Sequence, residues 1–299
     1  MPQANVGALT FEYDRFGAPS DPAVLLIMGI GSQMILWPVS FCRALVDRGF
    51  QVIRFDNRDV GLSSKLENLG VPDMGALMAA VATGTPPQAA YTLSDMANDA
   101  VGLMDALGLQ KAHIVGASMG GMIAQMMAIE HPTRVLSLTS IMSSTGDPGL
   151  PAAKPEAMAA LLTPAADQER ETLIRRFMET FTVIGSPGYP AAPGELRRIG
   201  EQVIDRGVCP TGFIRQLAAI LASPPRGPLL KAVKVPALVL HGEDDPLVPI
   251  DCGRATAEAI PGARFAPIPG MGHDFTEALS NVFAREVGGF LKEAQSRTR

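Results

Sequence analysis

Apolar residues along this chain follow two patterns that take turns. One is the short unbroken run. Residues 23–28 (AVLLIM), Gln51–Phe55, Val135–Ile141 and residues 235–240 (VPALVL) are such runs, each bounded by turn residues. Unbroken runs of this length suit strands buried on both faces of a parallel sheet. The other pattern recurs every three or four positions. Leu93, Met96, Ala97, Ala100, Val101, Met104 and Leu107 share one helical face. Thr92 or Ser94 can cap that helix, and Gly108 stops it. Residues 37–48 show the same spacing through Phe41, Leu45 and Val46, up to Gly49. Leu9, Phe11 and Tyr13 alternate with polar residues, which predicts a half-buried first strand. A short helix is expected over residues 77–81, another over 251–259, a strand over Arg264–Ile268, and a last helix over 275–294.

The order is therefore strand, helix, strand, helix, which predicts a doubly wound α/β fold. Its sheet is mostly parallel, with helices on both faces. One region breaks the alternation. Eleven of the 25 prolines fall between Pro148 and Pro228. Helical segments lie among them, at about 155–162, 168–181, 195–206 and 212–222, with Leu173, Phe177 and Phe181 on one face. Proline at that density fits short helices set at angles and not sheet units. Residues 146–231 are expected to form an inserted helical cap, and residues 1–145 and 232–299 the core.

Composition narrows the picture. The 299 residues are 47% hydrophobic and 18% charged, which excludes a disordered chain. The net charge of -5 gives no basic patch for nucleic acid or an anionic membrane. Two uncharged stretches of 21 residues, 22–42 and 74–94, are interrupted by glycine and proline, so no membrane span is expected. The first residues lack a basic start followed by an apolar core, so a cytoplasmic protein is expected, as a monomer or homodimer. Cys42, Cys209 and Cys252 are odd in number and widely spaced, which points to neither a disulfide framework nor a metal site.

Candidate chemistry centres on residues 112–129. A short apolar run with Ile114 and Val115 leads into Gly116-Ala117-Ser118-Met119-Gly120-Gly121. A Met-rich run of helical character, 122–129, follows and stops before Pro132. This is a strand, a sharp turn and a helix with a serine at the apex. Gly116 and Gly120 let the backbones approach, and the N–H of Met119 in the first helical turn is free to face a developing oxyanion. A serine hydroxyl needs a base and an orienting acid. Of the four histidines, His113 lies at the far end of the strand from Ser118, and His131 ends a helix. His241 ends a strand, where its side chain can hold a loop. His273 lies in a glycine-flanked loop after a predicted strand, where parallel sheets build sites. His273 is therefore the expected base. The acid is Asp244 or Asp245, and Pro246 biases Asp245 towards an extended conformation.

With these residues the chain resembles the α/β-hydrolase superfamily over nearly its whole length. The matching segments are 116–121, then His241-Gly242-Glu243-Asp244-Asp245-Pro246-Leu247-Val248-Pro249, then Pro269-Gly270-Met271-Gly272-His273. The resemblance places the acid at Asp245, three residues after the glycine of the His-Gly pair. It implies Ser118, Asp245 and His273 as a catalytic triad. It also implies a second oxyanion donor at the N–H of Ile30 in Met28-Gly29-Ile30-Gly31. Many relatives carry His where this chain has Met28, so the pocket wall formed by Met28 and Gly29 must differ. The block 56–63 (DNRDVGLS) also matches the family and is expected to be a turn tied by Asp and Arg. With Trp37-Pro38 it is similar to the aclacinomycin methylesterase subgroup.

What the resemblance implies is a serine esterase. It needs no cofactor and no metal and acts on a small-molecule ester. Met28, Ile30, Met119 and cap residues predict a largely apolar pocket, and so an apolar substrate. The same triad serves lactone hydrolysis, C–C bond hydrolysis and cofactor-free perhydrolysis. Outside catalysis, the fold also serves as a small-molecule receptor.

Overall fold

The computed structural model describes residues 2–297. Its strands are β1 (Gln3–Val6), β2 (Leu9–Phe16), β3 (Ala23–Ile27), β4 (Gln51–Phe55), β5 (Ala112–Ala117), β6 (Val135–Ile141), β7 (Ala237–Gly242) and β8 (Arg264–Ile268). They form one eight-stranded sheet in the order β1-β2-β4-β3-β5-β6-β7-β8. β1 and β2 form a hairpin, and β2 pairs antiparallel with β4. From β4 to β8 every pairing is parallel.

Helices α1 (Val39–Val46), α2 (Met74–Thr83), α3 (Leu93–Ala106) and α4 (Met119–Glu130) precede β6. Between β6 and β7 come α5 (Pro155–Leu162), α6 (Arg170–Ile184), α7 (Glu195–Asp205), α8 (Pro210–Ala222) and α9 (Gly227–Leu230). Helices α10 (Ile250–Ala259) and α11 (Ser280–Ser296) complete the chain. Among the described residues no helix is long and apolar enough to cross a membrane.

Alternation along the buried strands builds two cores. On β3, Ala23, Leu25 and Ile27 join Ile114, Met96, Leu103 and Ile123, so this face is covered by α3 and α4. Val24 and Leu26 point the other way, towards Phe41 and Leu45 of α1 and Phe283, Val287 and Leu291 of α11. Both faces of β3, β4, β5 and β7 are thus removed from water, as buried parallel strands require. At about 25 cal/mol per Å2 of apolar surface, such burial is the main stabilising term.

The last helix begins later than its apolar spacing predicts. Asp274 and Thr276 are held in hydrogen bonds to the inserted segment, a 3-10 turn over Glu277–Leu279 follows, and α11 starts at Ser280. Of the inserted helices, α6 packs on both α5 and α7, and α8 lies against α2. The short α9 packs with α4 and α10, and its Leu230 belongs to the core beneath the sheet.

The block 56–63 does more than close a turn on itself. Asp56 accepts from the N–H groups of Met34 and Leu62, at 2.8 and 3.0 Å, and pairs with Arg206 after α7. Asp59 receives both arms of Arg215 from α8, at 2.8 Å each, and the hydroxyl of Tyr91. Arg58 pairs with Asp99 on α3. The block's two aspartates join the sheet to the inserted segment, and Arg58 joins it to α3.

Candidate active site

Ser118 stands between β5 and α4 at φ 54 and ψ -122. A non-glycine residue there is strained, and such strain persists only where the surroundings over-determine it. The surroundings here are close backbones. A Cβ on Gly116 would lie 2.0 Å from the carbonyl oxygen of Gly120, and one on Gly120 would lie 2.1 Å from that of Ile27. Both glycines are therefore required by contact. The Ser118 N–H donates to Ile141 O at 2.9 Å, and Ser143 Oγ donates to Ser118 O at 2.8 Å. The apex is fixed from both sides.

The turn after β3 lies directly beside it. A Cβ on Gly29 would stand 3.5 Å from Ser118 Oγ. Among the described residues neither the Ile30 nor the Met119 N–H donates to a protein acceptor. The Met119 side chain is buried in the core with Ile123 and Leu25 and lines no part of the cavity. The apolar wall expected from Met119 is therefore not formed by this side chain.

Asp245 and His273 are brought together. His273 Nδ1 lies 2.8 Å from Asp245 Oδ2. A carboxylate only accepts, so Nδ1 carries a proton, and in the neutral ring that tautomer leaves Nε2 as the acceptor. Asp245 Oδ1 accepts from the N–H groups of Leu247 and Val248, at 2.9 and 2.8 Å. Asp244 faces elsewhere, accepting from Gly270 N–H at 3.0 Å. His241 Nε2 donates to Val248 O at 2.7 Å, which holds the acid loop as its position suggests, and burial depresses its pKa. His113 lies inside the molecule between Ser137 and Gln295, and His131 bonds Asn98.

Ser118 and His273 open on one cavity of about 310 Å3. Met28, Gly29 and Ile30 form part of its wall, and Leu161, Leu173, Phe177, Phe181 and Phe213 of the inserted helices form much of the rest. The regular spacing of Leu173, Phe177 and Phe181 was visible in the sequence. Their destination was not, because a face that lines a cavity and a face that packs on a core carry the same period.

The base loop is also fastened to the inserted segment. His273 N–H donates to Ile184 O at 2.7 Å, and Gly272 N–H to Ser186 Oγ at 2.8 Å. Ser186 gives its hydroxyl and its N–H to Asp274. Burial pushes the Asp274 carboxyl up to about 6.

Residues 22–277 match the family described as the alpha/beta hydrolase fold. The chain belongs to that family. This α/β-hydrolase chain is 29% identical to rhodomycin D methylesterase DauP of Streptomyces sp. (strain C5), with 96% of each chain covered. It is also 29% identical to 2-hydroxymuconate semialdehyde hydrolase of Pseudomonas putida, over 71% of this chain and 73% of that one. Its fold is similar to that of the enol-lactonase from Burkholderia xenovorans LB400, with a TM-score of 0.72, 22% identity, and 97% and 100% of the two chains covered.

Proposed function

We propose that the chain is a carboxylic ester hydrolase acting through an acyl-enzyme on Ser118. The observation that carries this reading is the oriented pair. His273 is held by Asp245 in the tautomer a base requires, and it opens on the same cavity as a strained, half-buried serine at the apex of its turn. His273 Nε2 takes the Ser118 hydroxyl proton as Oγ attacks the ester carbonyl. The N–H groups of Ile30 and Met119 stabilise the tetrahedral oxyanion. The intermediate collapses, the C–O bond to the alcohol breaks, and the leaving oxygen takes the proton from His273. Water, deprotonated by His273, then attacks the acyl-enzyme and releases the acid and Ser118. Asp245 stays ionised throughout and stabilises the imidazolium.

In this reading Met28 and Gly29 contact the substrate, and helices α5 to α8 act as a cap over it. The aliphatic and aromatic lining supports an apolar ester. The methylesterase relative supports the same reaction class. The test is steady-state hydrolysis of p-nitrophenyl esters of increasing acyl length, with Ser118→Ala as control. Activity that drops to background in Ser118→Ala supports the reading. A folded wild type inactive on every ester refutes it and directs attention to lactones, C–C substrates and a receptor role.

A further inference from the structure

The turn carrying Ile30 is held from outside the sheet. Gly31 N–H donates to Gln216 Oε1 at 2.7 Å, and Gln216 Nε2 donates to Arg58 O at 2.8 Å. Gln216 is fully buried in α8, 185 residues further along the chain from Gly31. Its two partners are a pure donor and a pure acceptor, so both arms of the amide have a defined orientation. On the other flank, Asn57 Nδ2 donates to Met28 O at 2.9 Å. The Met28–Gly29 and Ile30–Gly31 peptides are therefore both pinned. The peptide between them bears the Ile30 N–H; its own carbonyl, Gly29 O, accepts from Ser32 N–H at 3.2 Å within the turn, and the two flanking bonds hold that turn from outside.

Packing restricts the same turn. Gly31 has φ 61, and a Cβ there would lie 2.8 Å from the Phe213 ring. Phe213 and Gln216 sit one helical turn apart on α8, on the same face. Helix α8 is itself anchored, by Arg215 on Asp59 at 2.8 Å and on Gly70 O at 2.9 Å. The following Gln33 adds two bonds to the inserted segment, to Val203 O at 2.8 Å and Gly207 O at 2.9 Å.

We propose that Gln216 is a positioning residue: from the inserted helices it sets the direction of the oxyanion-stabilising N–H of Ile30. The inference rests on the esterase reading above. Gln216 touches no reacting atom. It acts because an oxyanion donor contributes only when it is aimed before the charge develops.

The test compares Gln216→Met and Gln216→Glu with the wild type. Met keeps the length and removes both hydrogen bonds, whereas Glu keeps an acceptor for Gly31 N–H. Active sites are titrated with a fluorophosphonate, so that a loss of folded protein is not counted as a loss of rate. The Met variant should lose roughly 10- to 100-fold in kcat with KM within about 3-fold, and Glu should recover at least about 5-fold of that loss. Hydrogen exchange over residues 29–33 should be faster in Met and near wild type in Glu. Should Met not fold, Gln216→Asn, one methylene shorter, withdraws the acceptor and carries the same test. Unchanged kcat per active site, or unchanged exchange at 29–33, overturns the inference. Failure of the esterase reading shows differently, as an inactive wild type.

Discussion

Asp245 Oδ2 lies 2.8 Å from His273 Nδ1, while the adjacent Asp244 is turned to the amide of Gly270 at 3.0 Å. Two neighbouring acids thus have separate tasks, one on the base and one on its loop. Asp245→Asn should lower kcat by about 10^3- to 10^4-fold, because the amide favours the wrong imidazole tautomer. Asp244→Asn should stay within about 3-fold of wild type, since the amide oxygen can still accept from Gly270 N–H. Steady-state kinetics on both variants check this. A severe Asp244 variant beside a mild Asp245 variant would reassign the acid.

Asp274 should make stability depend on pH in the reverse of the usual sense for a carboxylate. Burial raises its folded pKa from 3.8 to about 6, so the folded state binds the proton more tightly than the unfolded chain. Its favourable contribution is fully present below the unfolded value and is lost as pH rises through about 6. The wild type should therefore lose stability relative to Asp274→Asn between about pH 4 and 6, by at most ~1.4 kcal/mol per pH unit, and the difference should level off above that range. Urea unfolding of both proteins across this range is the measurement. A difference that does not vary with pH would contradict it.

The Arg215–Asp59 pair joins α8 to the block after β4, and both side chains are fully buried. Removing one partner strands a charge. Arg215→Met should destabilise the protein by about 3–5 kcal/mol. Asp59→Asn in the same chain removes the stranded charge and should return a substantial part of that loss. A double-mutant cycle from denaturant unfolding measures the coupling. Additive losses would show that the two side chains act independently.

Phe177 lines the cavity from α6 and packs on Phe181, with ring centroids 4.5 Å apart. Phe177→Ala should lengthen the space available to the acyl group. The acyl chain with the highest kcat/KM should shift to a longer homologue, with activity on acetate reduced or unchanged. A series of p-nitrophenyl esters reads this directly, and an unchanged optimum would place the acyl group elsewhere in the cavity.

The core elements were legible because their physics is local. Unbroken runs such as AVLLI in β3 can only be buried on both faces, and the capped stripe of α3 has one core side. The hairpin strand β1 was not legible, because Gln3–Val6 buries one residue of its four and shows no period. The start of α11 lies later than the apolar spacing suggests because Asp274 and Thr276 are committed to hydrogen bonds with the inserted segment, which no local pattern records. The site divides the same way. Ser118 and His273 stand in local turn patterns, and Asp245 followed from the family's spacing. Gln216 and Ser186 look like ordinary helix and loop residues, and their partners are 185 and 86 positions away in sequence.

The central claim is a covalent acyl group on Ser118. The most direct measurement is acid-quenched intact-mass and peptide mass spectrometry after brief mixing with an activated ester, on the wild type, His273→Ala and Ser118→Ala. The wild type should carry an adduct equal in mass to the acyl group, mapped to the peptide containing Ser118. That adduct should be strongly reduced in His273→Ala and missing in Ser118→Ala. Turnover with no adduct at Ser118, or an adduct that persists in Ser118→Ala, would contradict it.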